Sequence, residues 1–227
     1  TRAQRAWQVV SQGCVYDLGR DLTRHHCFRY CNRGSLSSAY FAQATAALSD
    51  GYIYLALTHS NSPAGEVTGR AYNHISLAFD RALKTLVSYN GGEGGEAPGL
   101  NPETLKGLAE RKGASVRVYR LAATRHQKQI MLKRLRKINQ EGSAYNLLGL
   151  LFPMSCQPNI MFCSQFVYAM LRLAGLHYFR KNPLQVRPTD FVEWDRRGRL
   201  AFVAEFTFDG VCLHCQDSIP QMRPTAG

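Results

Sequence analysis

The sequence lacks any uninterrupted apolar run of the roughly 18 residues that a membrane-spanning helix requires. Its longest candidate, YNLLGLLFPMSCQPNIMF, is broken by Pro153 and Pro158. The first residues also lack the basic and apolar blocks of a secretory signal, although the numbering begins at a threonine rather than a methionine. These absences favour a cytoplasmic location and leave the compartment otherwise open.

Acidic residues are scarce: 16 aspartates and glutamates stand against 28 lysines and arginines, so the net charge is +12. A positive field of this size favours anionic partners such as a cell-wall polymer or an acidic membrane surface. Much of the charge lies in RHQKQIMLKRLRK, whose apolar residues recur at helical spacing. This segment predicts a basic helix that either binds such a surface or is solvated. No base-stacking motif accompanies it, so nucleic acid is not an expected partner.

Cysteine is too sparse for a scaffold built on disulfides. Seven cysteines are an odd number, in a chain of 227 residues that can bury its own core, which favours mostly reduced thiols. Two pairs near the chain ends, in HHCFRYC and CLHC, leave a structural zinc ion as a second interpretation. Its thiolate ligands would be Cys27, Cys31, Cys212 and Cys215. We expect these pairs to lie close together, and we expect that no cofactor is required.

The middle of the sequence contains short apolar segments rich in β-branched and aromatic residues. YIYLALTH, HISLAFD, TLVSYN and SVRVYRLA predict strands, and the second and third lie close enough to form a hairpin. Helices are predicted at AYFAQATAALSDG, at PETLKGLAERKG, and over about residues 124–140 and 162–173. Because strands and helices are grouped rather than alternating, the predicted fold class is α+β with an antiparallel sheet.

Cys163 opens the predicted helix in MFCSQFVYAML. A thiol at a helix N-terminus meets the positive end of the helix dipole and backbone N–H groups that lack partners within the helix. Both favour the thiolate, which is the nucleophilic form of cysteine. The same N–H groups can stabilise an oxyanion during acyl transfer. The alternative interpretation is a small core residue on a buried helix.

His74 opens the predicted strand HISLAFD, where it shares a face with Ser76 and Ala78. A histidine at a strand end that faces a cleft can take the proton of a thiol on a neighbouring helix. The main rival is His59, at the end of YIYLALTH. For either position the alternative interpretation is a structural histidine.

The motifs THSN, YNHISLAFD, LVSYNGG, YNLLGLL and MFCSQFVYAMLRLAG resemble the circularly permuted branch of the NlpC-type papain-like superfamily. This branch includes YiiX-like proteins and relatives of lecithin retinol acyltransferase, and in it the histidine strand precedes the cysteine helix. The resemblance covers residues 51–192. It implies a permuted papain-like fold with the nucleophile helix packed on a central antiparallel sheet. A mainly helical N-terminal extension (1–50) and a C-terminal extension (193–227) would flank this catalytic domain, the latter packing on it.

The resemblance also implies roles for individual residues. Cys163 is the expected nucleophile and His74 is its base. The strand beside the histidine often supplies an acid that orients the imidazole, but this position is occupied here near Ser88, whose hydroxyl accepts a hydrogen bond without offering a charge. A backbone carbonyl or a water molecule is the alternative for this role. Tyr145 matches the tyrosine that precedes the cysteine helix, and its hydroxyl would orient the thiolate or the substrate carbonyl unless it is a core residue.

The implied function is a thiol hydrolase that cleaves an amide or ester bond through an acyl-enzyme on Cys163. The expected substrates are peptides, including cell-wall stem peptides, or lipid-derived amides and esters. Two alternatives stay open. One is an acyltransferase or lipid thioesterase that uses the same cysteine and histidine, and the other is a binding module that keeps the fold without catalysis. The motifs do not indicate an oligomeric state.

Overall fold

The computed structural model describes residues 32–59, 72–92, 96–109, 114–146, 159–209 and 212–215, with only the backbone of 208–209 and 212–215. The strands in these ranges are β1 (Tyr52–His59), β2 (His74–Ala78), β3 (Val87–Asn90), β4 (Gly99–Pro102), β5 (Ser115–Ala122), β6 (Ala144–Tyr145), β7 (Ile160–Met161), β8 (Leu200–Asp209) and β9 (Cys212–Cys215). The α-helices are α1 (Ser38–Ala46), α2 (Leu105–Ala109), α3 (Arg125–Glu141), α4 (Cys163–Leu173) and α5 (Asp190–Glu193). Short 3-10 helices lie at Ala47–Ser49 and Pro183–Gln185.

Seven strands form one sheet in the order β4-β3-β2-β1-β5-β8-β9. Every pairing in this sheet is antiparallel, whereas β6 and β7 form a separate parallel pair. The predicted α+β class with a central antiparallel sheet is therefore confirmed. Strand β2, which begins at His74, lies inside the sheet between β1 and β3.

Both faces of the sheet are covered, as the apolar residues on both faces of the strands require. The alternation of side chains along β1 and β2 sends Leu55 and Leu77 into a larger core that contains the apolar sides of α1, α3 and α4. The same alternation sends Ala56 and Ala78 to a smaller core, where Leu108 of α2 packs. No helix among the described residues is long and apolar enough to cross a membrane.

Helices α3 and α4 begin in different ways. Thr124 and Gln127 form a capping box at the start of α3, in which each side chain accepts a hydrogen bond from the other residue's backbone N–H. Helix α4 instead follows Phe162, a buried residue that makes no side-chain capping hydrogen bond. At its other end, Gly175 adopts a φ of +68° and donates to the Arg172 carbonyl at 3.1 Å, which terminates the helix.

The apolar side of α4 packs on β2 and β3, as predicted for the cysteine helix. The rings of Phe166 on α4 and Tyr89 on β3 lie 5.1 Å apart, and both side chains are fully buried. This packing fixes the direction of α4 against the sheet. It brings the first residue of the helix to the end of β2 at which His74 lies.

The structure differs from the predicted elements between β3 and β5. A helix was predicted to start at Pro102, but Gly99–Pro102 pair with β3 as strand β4, and α2 begins at Leu105. Proline is tolerated here because β4 is the edge strand of the sheet, where one side of the backbone needs no partner. Glu103 therefore follows the end of a strand, whereas the sequence placed it at the start of a helix.

The segments outside the predicted catalytic region also contribute to the fold. Leu36, Tyr40 and Leu48 belong to the larger core. Strand β8 pairs with β5 and β9 pairs with β8, so the C-terminal segment supplies two strands of the main sheet. The N-terminal part of the predicted extension, residues 1–31, lies outside the described residues.

Candidate active site

Cys163 is the first residue of α4, and its free thiol is buried with 4% of the residue exposed. The first N–H groups of an α-helix have no partner within the helix. Side chains commonly bond these groups, but Phe162 at the cap position does not. The start of α4 therefore presents a thiol next to backbone donors that a bound group can use.

His74 lies between this thiol and a carboxylate. It begins β2 opposite Thr58 of β1, and 7% of the residue is exposed. Its Nε2 is 3.0 Å from Oε1 and 3.1 Å from Oε2 of Glu103. A side-chain hydrogen bond also joins the imidazole to Cys163. Because Glu103 engages Nε2, the nitrogen left for the sulfur is Nδ1.

The neighbours of His74 determine its charge. Burial alone would lower the pKa of the imidazole, but the negative charge of Glu103, then that of Cys163, and their hydrogen bonds outweigh burial and raise the pKa to about 10. Burial opposes ionisation of Glu103 as well, yet the charge and hydrogen bond of His74 hold the pKa of this carboxyl below its usual range. At neutral pH the site therefore contains an imidazolium held by a carboxylate.

Glu103 follows β4 directly, and its side chain is 7% exposed. Its backbone N–H donates to the Leu86 carbonyl at 2.9 Å, which continues the pairing of β4 with β3. Besides His74, the carboxylate accepts a hydrogen bond from Asn90 Nδ2 at 3.0 Å and another from the hydroxyl of Ser76. Sequence reasoning missed this residue. Its one signal was an acid just after a proline, a position that is also favourable at the start of a helix.

A chain of buried asparagine side chains extends behind Glu103. Asn101 Nδ2 donates to Asn90 Oδ1 at 2.8 Å, and Asn32 Nδ2 donates to Asn101 Oδ1 at 2.6 Å. Each amide thus donates toward the next, and the last of them donates to the carboxylate. Aligned donors of this kind polarise one another in a buried site and stabilise the negative charge at the end of the chain.

The expected role of Ser88 is corrected by its contacts. Ser88 is fully buried on β3, and its hydroxyl donates to the Ile75 carbonyl at 2.7 Å. It therefore ties β3 to β2 and does not bond the imidazole of His74. The partner of the imidazole comes from the next strand, because β4 pairs with β3 and returns the chain toward the histidine. The site has a charged third member where a neutral one was expected.

Tyr145 lies where the sequence suggested, beside the start of α4. It is half-buried against the larger core, and it is the strand partner of Met161, which precedes Cys163 by two residues. Its role in orienting the thiolate or a substrate stays a prediction. The rival base His59 ends β1 opposite Ser115 of β5, and no described contact joins it to Cys163.

Gln165 is a further polar residue in the first turn of α4. The residue is 8% exposed, and its Oε1 has no hydrogen-bond partner among the described residues. A buried acceptor that stays unpaired costs about 1–3 kcal/mol. An acceptor retained two residues after the thiol suits a donor group that arrives with a ligand.

The predicted zinc site falls mostly outside what the structure describes. Cys27 and Cys31 lie outside the described residues, and Cys212 and Cys215 form β9, for which the backbone is given. Within the described ranges, no three histidine, cysteine, aspartate or glutamate side chains are grouped to hold a metal ion. The zinc site and the closeness of the two cysteine pairs stay predictions.

Comparison of the chain with protein-family models, with curated proteins and with solved structures finds no match. The site contains a thiol at the start of a helix, an imidazole bonded to the thiol, and a carboxylate bonded to the imidazole. Nucleophilic catalysis uses three such groups in this order.

Proposed function

We propose that this protein is a cysteine hydrolase that cleaves an amide or ester bond. Cys163 is the nucleophile, His74 is the general base and acid, and Glu103 orients and charges the imidazole. The observation that carries the proposal is the buried position of His74 between the thiol and the carboxylate. The carboxylate favours the imidazolium, and an imidazolium next to the thiol favours the thiolate.

The proposed fold is the permuted papain-like arrangement that the motifs resemble. Two features support it: the histidine strand precedes the cysteine helix in the chain, and the helix packs on an antiparallel sheet. The resemblance suggests peptides, cell-wall stem peptides or lipid-derived amides and esters as substrates. The buried Oε1 of Gln165 favours amides among these, since an amide N–H supplies the donor that this oxygen lacks among the described residues.

In the proposed reaction, Sγ of Cys163 attacks the carbonyl carbon of the substrate, and the π electrons of the C=O bond move to its oxygen. The N–H groups at the start of α4 stabilise this oxyanion. As the tetrahedral intermediate collapses, the imidazolium of His74 gives its proton to the leaving amine or alcohol, and a thioester remains. His74 then takes a proton from water, whose oxygen attacks the thioester and releases the carboxylic acid and the thiolate.

Alkylation with iodoacetamide at mildly acidic pH tests the nucleophile. Ordinary thiols are protonated there and react slowly, so Cys163 is expected to react about tenfold faster than the other cysteines. Mass spectrometry of peptides identifies the alkylated residue. The Cys163→Ala variant should lose the fast reaction, and the matched Cys212→Ala variant should keep it. Fast labelling that persists in Cys163→Ala would show that the nucleophile is a different residue.

Incubation with p-nitrophenyl acetate separates hydrolysis from the two alternatives. A hydrolase releases p-nitrophenol continuously in water and carries a transient acetyl group on Cys163 in intact-mass spectra. An acyltransferase would retain the acetyl group until an acceptor amine or alcohol is added. A binding module would show neither the adduct nor turnover, and this result would refute catalysis.

A further inference from the structure

A cleft lined by arginines is formed by residues of the segment that follows α4. Its volume is about 580 Å³, which is in the range of small-molecule sites. Its lining contains none of Cys163, His74 and Glu103. The basic side chains of the cleft are Arg180, Arg196, Arg197 and Arg199. The cleft is therefore separate from the candidate active site.

The four arginines have a different environment from three of the basic residues of α3. All four are exposed, and none forms an ion pair with a carboxylate of the described residues. On α3, by contrast, Lys128 donates to two backbone carbonyls, Arg134 donates to Asn159 at 2.7 Å and Lys137 pairs with Glu141 at 3.6 Å. Arg125 and Lys133 of α3 are exposed as well. What distinguishes the cleft is that four guanidinium groups without a carboxylate partner among the described residues line one concave surface.

The turn that carries three of these arginines is held by its own backbone contacts. The carboxylate of Asp195 accepts hydrogen bonds from the N–H groups of Arg199 and Leu200, each at 2.8 Å. Gly198 adopts a φ of +60°, which few other residues would tolerate. Asp195 therefore shapes the turn, and no ion pair among the described residues joins its carboxylate to one of the four guanidinium groups.

Trp194 adds an aromatic wall to the arginine cleft. The residue lines the cleft, is 40% exposed, and rests on Phe179 with the ring centroids 6.4 Å apart. An exposed tryptophan beside guanidinium groups offers an apolar surface and hydrogen-bond donors to the same ligand. A solvated surface loop would need neither the concave shape nor the aromatic wall.

We infer that this cleft binds a small molecule whose phosphate groups carry at least two negative charges, such as a phosphomonoester or a diphosphate. The organic part of this molecule would lie against Trp194. Guanidinium groups match phosphate oxygens in bidentate geometry, and four of them balance a multiply charged anion better than a single carboxylate. A nucleic acid is disfavoured because the cleft is short and concave rather than an extended groove. The inference does not depend on the proposed thiol chemistry.

Isothermal titration calorimetry with inorganic pyrophosphate and with inositol trisphosphate tests this site. A triple variant, Arg196→Gln with Arg197→Gln and Arg199→Gln, is expected to weaken binding by about a thousandfold, at about tenfold for each of the three guanidinium groups lost. The control removes the same charge from exposed positions of α3, by Arg125→Gln, Lys133→Gln and Lys137→Gln, and should weaken binding less than about threefold. The Cys163→Ala variant should bind as the unaltered chain does, which separates this site from the thiol.

Each remaining outcome decides the inference. Equal weakening in both triple variants would overturn the inference, because net charge alone would then explain binding. An affinity for citrate equal to the affinity for pyrophosphate would also overturn it. If the triple variant fails to fold, Arg197→Lys replaces it, since it keeps the charge but loses bidentate contact and should still weaken binding severalfold.

Vesicles of phosphatidylcholine with phosphatidylinositol bisphosphate identify the source of the ligand. Binding to these vesicles and to the free headgroup supports a lipid ligand, and binding to the free phosphates alone supports a soluble one. Saturable binding to an oligonucleotide but not to these phosphates would refute a small-molecule site.

Discussion

At the scale of single residues, the proton on His74 decides how the site works. The imidazole keeps this proton because a buried carboxylate and a sulfur both favour the charged form more than burial disfavours it. The sign is therefore clear: His74 stays an imidazolium through neutral pH and loses its proton as the pH rises through about 10. Glu103 is the residue on which this behaviour depends most.

We predict that Glu103→Gln lowers the pKa of His74 by about 1–3 pH units, because a neutral amide no longer attracts the imidazolium. An NMR titration of the Cε1–H signal of His74, assigned with a His74→Gln variant, measures the change. Ser88→Ala is the matched control, since it removes the buried hydrogen bond to Ile75 without touching the imidazole. This control should lower the free energy of unfolding by about 1 kcal/mol and leave the pKa of His74 near its original value. A larger pKa change in Ser88→Ala than in Glu103→Gln would contradict the assignment.

The residues of the site differed in how far the sequence could predict them. Cys163 and His74 each open a segment with clear periodicity, so their places at a helix start and a strand start follow from local pattern. Glu103 stands near neither of them in the chain. It reaches His74 because β4 pairs with β3. That pairing is a tertiary contact, and β4 is a short strand that contains glycine and proline. Local pattern cannot reveal a partner that depends on such a pairing.

At the scale of elements, the strands and helices with strong periodicity were predictable and the buried cation of α3 was not. The apolar stripe of α3 indicated which side faces the core, and its basic residues were expected on the other faces. Lys128 is nevertheless fully buried, and its Nζ donates to the carbonyls of Ala47 at 2.8 Å and Phe79 at 3.0 Å. The carbonyl oxygens that require this donor come from distant segments, which the helix pattern cannot show.

We predict that Lys128→Met lowers the free energy of unfolding by about 2–4 kcal/mol, because the two carbonyls lose a charged donor in a buried place. Urea unfolding followed by circular dichroism measures the loss. Lys133→Met, an exposed position of the same helix, should change the free energy by no more than about 0.5 kcal/mol. Equal effects of the two substitutions would mean that Lys128 does not tie α3 to the 3-10 helix and to the end of β2.

At the scale of the whole molecule, the sheet gathers parts of one polar network from widely separated positions. Asn32 precedes α1, Asn90 ends β3, Asn101 lies on β4 and Cys163 opens α4. The N-terminal segment therefore contributes to the surroundings of the site as well as to the core. The sequence indicated a catalytic region with extensions on either side. It did not indicate that Asn32 joins the network, because amide side chains that pair only in the folded state leave no periodic signal.

We predict that Asn101→Leu disturbs the site, although it contacts neither His74 nor the thiol. The substitution interrupts the row of amides that donates toward Glu103, so the carboxylate should be less well held and the pKa of His74 should fall, by less than in Glu103→Gln. Asn139→Leu is the matched control: its side chain bonds both backbone groups of Leu36 at 2.9 Å and lies outside the row. Both variants should lose about 1–3 kcal/mol of unfolding free energy, since each leaves polar groups without partners. Only Asn101→Leu should move the His74 titration and slow alkylation of Cys163. If the two variants lose stability alike and neither moves the titration, the asparagines serve packing alone, and Glu103 is positioned by Ser76 and the backbone of β4.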